Sequence, residues 1–380
     1  MPFIKDIISI FLATREKIRF ICEKSRLEGD RMNNLRFGLH EGLALYDLPL
    51  HELGKMADEK KRQRFGNEVT FIKNYYMNFT NICRYACKYC GFRRNKTDAD
   101  AYVLGLDAIE KKLASAPEQL KEVWFSSGLN PELPYQYYLD LLQLVKRIVP
   151  DAMIKAFTAV EIDFFAKKFG KSYEEVIDDF VSHGLGRIPG GGAEIFDDAI
   201  RKKIDIKIRA QDYFRIHELM HQRDIPTSIT MLFGHIEKRE HRIAHMLAIR
   251  DFQDRSKGVQ AFIPLAFQDK NNPLALRGVK GPSAVEVLKT LAISRIILDN
   301  VDHIQSFWID SGVEVTQISL HFGVDDLNGT MIEENIAHES GAKTKKYETA
   351  DSLVDWIHSS GFVAVERDCR FMRLSSELRS

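Results

Sequence analysis

Strand-like and helical runs alternate along most of the chain, and this alternation limits the fold more than any other feature. The predicted strands cover Val69–Phe79, Glu122–Ser127, Met153–Ala159, Leu185–Pro189, Thr227–Phe233, Gln260–Phe267 and Ile304–Ile309. Strands that alternate with helices form parallel sheets with crossover helices. Repeated this often, the pattern predicts an α/β fold with a (βα) barrel, full or partial, of the TIM type.

The segments between these strands have the apolar spacing of amphipathic helices. The predicted helices are Leu106–Ala114, Tyr135–Ile148, Glu161–Lys168, Tyr173–His183, Ile195–Lys203, Gln211–Arg223, Lys238–Arg255 and Ser283–Asp299. No G-x-G-x-x-G sequence follows the first strand, which removes the main dinucleotide-binding alternative. The barrel is therefore the expected core, over residues 68–340.

Helical and capping segments are expected on either side of the barrel. Residues 1–67 are predicted to form a helical extension, which includes a helical stretch over residues 30–65. Apolar residues near the start recur at helical spacing and are interrupted by charges, which favours an amphipathic helix over a secretory signal; they are Ile4, Ile7, Ile8, Phe11 and Leu12. Residues 341–380 are expected to pack as a C-terminal cap.

Charge and hydropathy argue against several kinds of partner. Lysines and arginines number 54, as do aspartates and glutamates, so the formal net charge is zero. Such a chain has no electrostatic footprint for nucleic acid or an anionic membrane. No apolar run reaches the length of a membrane span. We therefore expect no nucleic-acid partner, no membrane span and a cytoplasmic location, where a reducing environment suits free thiolates.

Three cysteines stand close together directly after the first predicted strand. Cys83, Cys87 and Cys90 have C-x3-C-x2-C spacing, while Cys22 and Cys369 are far away in the sequence. Three thiolates on one loop suit three corners of an iron–sulfur cube, which is normally held by four. The fourth iron would keep an open coordination position, and open positions at metal sites are where chemistry occurs.

Three cysteines so spaced have two other interpretations. A structural zinc site would need a distant histidine, and zinc ribbons prefer paired C-x2-C knuckles, of which the chain has no second example. That alternative predicts a non-enzymatic zinc-binding protein and stays open at this point. A disulfide framework fits poorly with five cysteines in a chain of 380 residues.

Small and polar residues follow the first three strands, where a βα barrel has its active site. Cys83 follows the first strand, and Ser127 and Gly128 follow the second, where small residues permit close approach of the backbone to a ligand. Thr158 and Glu161 follow the third strand. A carboxylate there suits either ribose hydroxyls or the N-terminus of a helix. These residues are candidates for cofactor binding.

The fourth and fifth strands are followed by similar residues. Gly191 and Gly192 belong to a run of three glycines before Glu194. Such a run costs chain entropy, so a backbone that must lie near a ligand explains it better than a plain loop, and amides at a helix start bind carboxylates. His235 and Glu237 follow the fifth strand and are candidates for acid/base catalysis.

Two further sets of residues have both a functional and a structural interpretation. Asp325 lies in a loop bracketed by Gly323 and Gly329, which predicts either an Asx turn or a part of the barrel mouth. Histidine pairs at i,i+4 spacing lack the H-E-x-x-H pattern of zinc hydrolases, so a structural role is favoured for His217 with His221 and for His241 with His245.

Five stretches, taken in order with the cysteine loop, resemble a known family. They are Lys155–Lys167, Pro189–Phe196, Met231–Glu237, Gln260–Phe267 and His321–Thr330. Together they resemble the radical S-adenosylmethionine (SAM) enzymes, in the branch of the menaquinone and deazaflavin pathways. The sequences PGGGAEIF and FGVDDL are most similar to the aminofutalosine synthase family. The related dehypoxanthine futalosine cyclases are the alternative.

The resemblance implies a [4Fe-4S] cluster held by the three cysteines, with SAM bound at the open iron through its amino and carboxylate groups. Tyr89 is implied to lie against the adenine. Ser127 and Gly128 stand where family members usually have Gly-Gly, near the methionine ammonium, and Thr158 and Glu161 are expected at the ribose.

The resemblance also implies a reaction. One electron from a reductant such as flavodoxin or ferredoxin cleaves SAM to methionine and a 5′-deoxyadenosyl radical. In the aminofutalosine synthase family this radical adds to the vinyl carbon of 3-[(1-carboxyvinyl)oxy]benzoate, and the adduct rearranges and loses carbon dioxide to give 6-amino-6-deoxyfutalosine. Gly191, Gly192, Glu194 and Asp325 are then the expected substrate-binding residues. A cyclase would instead begin by abstracting hydrogen.

Overall fold

The computed structural model describes residues 36–117, 119–205 and 207–374. The helices Leu39–Leu45 and Leu50–Phe65 precede the first strand, which confirms the helical prediction for the described part of residues 30–65. The amphipathic helix predicted near residue 4 lies outside the described residues. The helix Leu50–Phe65 packs along the helix Ala284–Ile297, which is buried on most of its faces.

Parallel strands form the core of the fold. Their bounds are β1 Glu68–Phe71, β2 Asn74–Met77, β3 Glu122–Phe125, β4 Met153–Ala156, β5 Leu185–Arg187, β6 Thr227–Phe233, β7 Val259–Ala266, β8 His303–Ile304 and β9 Val363–Glu366. The sheets have the orders β2-β3-β4-β5, β6-β7-β8 and β1-β9, and their ladders are parallel. This is the α/β architecture that the alternation predicts.

Hydrogen bonds and isolated bridges join the separate sheets into a barrel. The hydroxyl of Thr230 on β6 donates to the carbonyl of Gly190 after β5 at 2.8 Å. At another seam, Asp326 forms parallel bridges with Thr70 on β1 and with Gln305 after β8. The carboxylate of Asp326 also accepts a hydrogen bond from Arg367 at 3.0 Å. The segment around Asp326 therefore closes the wall between β8 and β1.

Several strand predictions were wrong in extent. The run Met153–Ala159 is a strand only over β4, and its last residue already begins the helix Ala159–Phe169. The run Val69–Phe79 is divided into β1 and β2, and β1 pairs in register with β9, from Glu68 with Val363 to Phe71 with Glu366. The run after residue 303 is a strand only over β8, and it continues into the short helix Trp308–Ser311. Trp308 is fully buried there, and its Nε1 donates to the carbonyl of Gly329 at 2.8 Å.

Most of the predicted helices lie close to their expected positions, and the described residues contain five helices that were not predicted: Pro273–Leu276, Trp308–Ser311, Val313–Ser319, Ile336–Glu339 and Ala350–Ser359. The bounds are Leu106–Ala114, Tyr135–Ile148, Ala159–Phe169, Tyr173–Ser182, Asp198–Lys203, Ala210–His221, Arg239–Ser256, Pro273–Leu276, Ala284–Ile297, Trp308–Ser311, Val313–Ser319, Ile336–Glu339 and Ala350–Ser359. Among the described residues, no helix combines the length and the apolar character needed to cross a bilayer.

Candidate active site

A cavity opens where the strands end, and most of the predicted site residues line it. The predicted residues in its wall are Cys83, Tyr89, Cys90, Ser127, Gly128, Thr158, Glu161, Gly191, Gly192 and Glu194. They come from the segments that follow β2, β3, β4 and β5. These residues lie up to about a hundred positions apart in the sequence. They meet because the carboxyl ends of the parallel strands lie at the same edge of the barrel.

The cysteine loop is pressed firmly against the rest of the protein. Cys83 donates its N–H to the carbonyl of Arg94 at 3.1 Å, and Cys90 donates to the carbonyl of Cys87 at 3.1 Å. A Cβ added at Gly91 would lie 2.6 Å from the carbonyl oxygen of Glu339, so only glycine fits beside that backbone. The loop is thus fixed by contacts on both sides of the third cysteine.

The three thiols share one electrostatic environment. Burial raises the pKa of Cys87 to about 11 and raises that of Cys90, and the Lys207 ammonium acts in the opposite direction on both. Burial works to lower the pKa of Lys207, but the neighbouring thiols raise it overall. These free thiols beside a cation are a donor set that fits a cationic iron–sulfur cluster, whose irons would favour the thiolates.

Cys369 does not belong to this site. Its thiol is buried and donates to the Oε2 of Glu122 at 2.9 Å. Within the described ranges, no group of three or more His, Cys, Asp or Glu side chains is arranged as a ready-made site for a single metal ion.

Glu161 serves the local structure and also faces the cavity. Its Oε2 accepts the N–H of Thr158 at 2.6 Å, and the hydroxyl of Thr158 accepts the N–H of Glu161, so the two form a capping box at the start of the helix Ala159–Phe169. Its Oε1 is buried and has no hydrogen-bond partner within the described part of the chain. Burial raises the pKa of Glu161 to about 7. One oxygen is therefore left for a ligand.

Aromatic packing fixes the turn that presents this capping box. Phe157 precedes Thr158 with a φ of 60°, which is unfavourable for a residue with a side chain. Its ring is fully buried and packs against Phe165 and Phe180, with centroids 5.2 and 4.7 Å away. Aromatic pairs contribute about 0.5–1.5 kcal/mol each beyond area burial, which is enough to offset a strained φ of about 1–3 kcal/mol.

The segment after β3 lies against the backbone of the cysteine loop. The hydroxyl of Ser127 accepts the N–H of Phe79 at 2.8 Å, and Gly128 donates its N–H to the carbonyl of Thr80 at 2.8 Å. A Cβ on Gly128 would lie 2.4 Å from the carbonyl oxygen of Ile82. Gly128 is therefore required for packing against the loop as well as for exposure of backbone to the cavity.

Packing explains much of the glycine run. A Cβ on Gly190 would lie 2.7 Å from the carbonyl oxygen of Ser228. Gly192 has a φ of 98°, and a Cβ there would lie 2.3 Å from the Cγ2 of Val160. Gly191 and Gly192 line the cavity. The expected helix start at Ile195 was wrong, because the helix begins at Asp198. The amides of a helix start are thus not available beside the glycines.

A buried arginine holds this loop, and sequence reasoning missed it. Arg201 is 4% exposed and donates to the carbonyls of Ala193 at 2.6 Å, Ile195 at 3.0 Å and Gly192 at 3.2 Å. A single arginine in a helix gives no sequence pattern from which these long-range backbone contacts can be inferred. The clamp presents Glu194, which stands between these carbonyls with a φ of 38°.

Glu194 and Tyr89 form a pair across the cavity wall. The hydroxyl of Tyr89 donates to the Oε1 of Glu194. The Oε2 of Glu194 is buried and unpartnered within the described residues. As with Glu161, a carboxylate oxygen is left for a ligand.

His235 and Glu237 do not line the cavity, contrary to the expectation for a catalytic pair. Both side chains are fully buried. Glu237 accepts the N–H groups of Gly234 at 2.6 Å and His235 at 2.9 Å, and the Nε of Arg242 at 2.7 Å. Burial lowers the pKa of His235. These contacts support the turn after β6, because the side chains point behind the wall and not into it.

Asp325 is also placed away from the cavity lining. Its Oδ1 accepts the N–H of Ile304 at 2.8 Å and also accepts a hydrogen bond from Arg295. Its Oδ2 lies 2.5 Å from the Nδ1 of His303. With these partners, Asp325 stabilises the closure between β8 and β1. Its expected role in substrate binding does not fit this position.

The cavity has a second wall that the sequence did not indicate, and we call it the acid wall. It consists of Asp310 and Glu334 together with the aromatic residues Tyr76, Trp124 and Phe307. The rings of Tyr76 and Trp124 have centroids 4.3 Å apart. One cavity thus combines thiols, polar contacts on the strand ends, and an aromatic surface with two acids.

Two family models match the chain. The radical SAM superfamily model covers residues 77–249, and the model for the CofH/MqnC C-terminal region covers residues 256–376. Aminodeoxyfutalosine synthase of Streptomyces coelicolor is 38% identical over 92% of this chain and 93% of its own length. The chain belongs to the radical SAM superfamily. Within it, the chain falls in the branch that contains aminodeoxyfutalosine synthase.

Other relatives and structures define how far this membership reaches. The 5-amino-6-(D-ribitylamino)uracil–L-tyrosine 4-hydroxyphenyl transferase of Archaeoglobus fulgidus is 38% identical over 86% of this chain and 95% of its own length. The crystal structure of methylornithine synthase has a TM-score of 0.71 at 16% identity, and the match covers 88% of this chain and 96% of that one. The structural match confirms the barrel, and the two relatives leave the substrate undecided.

Membership in this superfamily confirms that the chain is an enzyme that uses a [4Fe-4S] cluster and SAM. The alternative of a non-enzymatic zinc protein is therefore wrong. The residues fit the cluster, because the free thiols Cys83 and Cys90 line the cavity, both act electrostatically on the buried thiol of Cys87 nearby, and Cys369 lies elsewhere.

Proposed function

We propose that the enzyme is an aminofutalosine synthase. It joins the adenosyl part of SAM to 3-[(1-carboxyvinyl)oxy]benzoate, with rearrangement and loss of carbon dioxide, and yields 6-amino-6-deoxyfutalosine for menaquinone biosynthesis. The observation that carries the proposal is the single cavity, whose wall contains both the cysteine loop and an aromatic surface. The 38% identity to aminodeoxyfutalosine synthase over 92% of the chain supports it.

The cysteines Cys83, Cys87 and Cys90 would hold the cluster, which when bound supplies the electron that cleaves SAM. The other residues orient the two substrates. The unpartnered Oε1 of Glu161 suits a ribose hydroxyl, since a buried carboxylate oxygen without a partner is costly until it is paired. In this proposal Tyr89, whose hydroxyl donates to Glu194, contacts the adenine.

Small residues and cations complete the binding surface. Ser127 and Gly128 leave room for the methionine ammonium. Gly191 and Gly192 let the substrate lie close to the backbone. Lys207 and Arg93 line the same cavity, and the Nε of Arg93 is buried without a partner among the described residues, so a substrate carboxylate would pair with it. We also propose that a small electron carrier such as flavodoxin or ferredoxin reduces the cluster, and that the enzyme works in the cytoplasm.

Product analysis tests this assignment. The reconstituted enzyme is incubated anaerobically with dithionite, SAM and the benzoate ether, and the products are analysed by mass spectrometry. We expect 6-amino-6-deoxyfutalosine together with methionine. In a parallel incubation with dehypoxanthine futalosine in place of the ether, release of free 5′-deoxyadenosine from SAM, through hydrogen abstraction from that substrate, would instead indicate a cyclase.

The second candidate function is that of a 5-amino-6-(D-ribitylamino)uracil–L-tyrosine 4-hydroxyphenyl transferase. The Archaeoglobus fulgidus enzyme of that name is also 38% identical to this chain. This candidate function is tested in parallel with L-tyrosine and 5-amino-6-(D-ribitylamino)uracil. Transfer of the 4-hydroxyphenyl group in this assay, with no adenosyl product from the benzoate ether, would refute the proposed function.

A further inference from the structure

Asp310 is held in place at the acid wall by its backbone. It belongs to the short helix Trp308–Ser311, which is anchored by the buried indole of Trp308. The N–H of Asp310 donates to the carbonyl of Phe307 at 3.1 Å, and its carbonyl accepts the Nε2 of Gln268 at 3.1 Å. The residue lines the cavity, and its Oδ1 is buried and has no hydrogen-bond partner in the described ranges.

Glu334, the second acid of this wall, has the opposite surroundings. Its Oε1 accepts the N–H of Ala337 at 2.8 Å, and its Oε2 accepts the N–H of His338 at 3.4 Å and lies 2.7 Å from the Nδ1 of the same histidine. A carboxyl group that accepts on both oxygens is best satisfied when ionised. Glu334 therefore holds the negative charge, with His338 as its partner behind the wall.

The two acids differ in the donors that reach them. Glu334 has three donor contacts, whereas no donor reaches the Oδ1 of Asp310 within the described residues. A second carboxylate beside an ionised one is disfavoured, so the proton stays on the acid without donors. Burial and then the charge of Glu334 raise the pKa of Asp310 well above its ordinary range.

We propose that Asp310 carries a protonated carboxyl group in the cavity and donates a hydrogen bond from it to a carboxylate of the aromatic substrate. This inference rests on the proposed function, whose benzoate ether has two carboxylates and a ring that suits Tyr76, Trp124 and Phe307. A hydrogen bond from a neutral acid to a carboxylate is charge-assisted and strong. Asp310 is then a specificity residue, because it accepts an anionic group and rejects a neutral one.

The charged groups around Asp310 define how binding should depend on pH. Glu334 and the phenol of Tyr76 face it, His338 lies behind Glu334, and Arg93 and Lys207 line the same cavity. When the pH rises far enough to ionise Asp310, the donor is lost and a charge that repels the substrate appears. Substrate affinity should therefore fall at high pH.

The test measures the affinity of the cluster-reconstituted enzyme for the benzoate ether by titration calorimetry between pH 6 and pH 9. The variants are Asp310→Asn and Asp310→Ala, with Asp251→Asn as an exposed control on the helix Arg239–Ser256. Asp310→Asn should bind within about threefold of the wild type at pH 7, because the amide also donates. Asp310→Ala should bind about 10- to 100-fold more weakly, as expected for loss of a hydrogen bond to a charged group.

The pH profile separates this role from a merely structural one. Wild-type affinity should not rise between pH 6 and pH 9 and should fall at the pH at which Asp310 ionises, while that of Asp310→Asn should stay level. Iron content and SAM affinity should be unchanged in all variants, which shows that the fold is intact. The proposal is overturned if Asp310→Asn binds as weakly as Asp310→Ala, or if wild-type affinity rises with pH. If the wild type neither binds the ether nor forms an adenosyl product, the proposed function itself is wrong and this proposal fails with it.

Discussion

Replacement of Glu161 by glutamine should stabilise the protein and weaken its binding of SAM. The pKa of Glu161 is raised by burial to about 7, from an ordinary value of 4.5. Because the folded state holds this proton more tightly than the unfolded state, stability falls as the pH rises from about 4.5 through 7. At pH 8 the buried charge costs the folded protein about 3 kcal/mol, and at pH 5 it costs under about 1 kcal/mol.

Glutamine keeps the local structure and removes this cost. Its carbonyl can accept the N–H of Thr158 as the carboxylate does, since glutamine is also found at this position of a capping box. We expect Glu161→Gln to raise the free energy of unfolding by about 2–3 kcal/mol at pH 8 and to change it little at pH 5. SAM affinity should fall, because an ionised oxygen at the ribose is replaced by an amide.

The assay is urea denaturation of the protein at both pH values under anaerobic conditions, combined with SAM titration of the reconstituted enzyme. Glu175→Gln is the matched control, because Glu175 forms the same capping box with Ser172 on the surface. The reasoning is refuted if Glu161→Gln is less stable than the wild type at pH 8, or if the change is equal at pH 5 and pH 8.

Three further variants test other parts of the account. Gly128→Ala should lower SAM affinity at least about tenfold in calorimetry, because its Cβ would lie 2.4 Å from the carbonyl of Ile82 on the cysteine loop; unchanged affinity would contradict this. Arg201→Met should lower the free energy of unfolding by about 3 kcal/mol, since several buried carbonyls lose their donor; a loss under about 1 kcal/mol would argue against the clamp. His235→Gln should keep kcat within a few-fold in the product assay, because His235 lies outside the cavity lining; a large loss of kcat with intact folding would restore its catalytic role.

The features that sequence reasoning predicted well are local. Thr158 and Glu161 come just after β4, and the sequence indicated that Glu161 lies near the start of a helix, which the structure confirms. The cysteine loop was also evident, because its ligands lie within eight positions of each other. In both cases the relevant contacts are short-range in the sequence.

The features that were missed depend on contacts between distant segments. β9 pairs with β1 across almost three hundred residues, and nothing in either segment specifies that partner. Arg201 and Asp310 acquire their roles from the carbonyls and acids that the fold places around them. The rule that active-site residues follow the strands correctly located the segment of His235. It did not show that the imidazole turns behind the cavity wall, toward the carbonyl of Leu232.

The expected division into a barrel core over residues 68–340 and a cap after it stays a prediction. β9, inside the expected cap, extends a sheet with β1 of the expected core. Arg187, the last residue of β5, also donates to the carbonyl of Cys369. These contacts tie the C-terminal segment to the strands.

The central claim is that three cysteines bind a cluster whose remaining iron takes SAM, and spectroscopy of the reduced enzyme tests it most directly. The anaerobically reconstituted wild type should contain about four irons per chain. Its electron paramagnetic resonance signal should change when SAM is added, and Cys87→Ala should lose both the iron and the response. A colourless protein that retains zinc, or a reduced cluster whose spectrum is indifferent to SAM, would contradict the account.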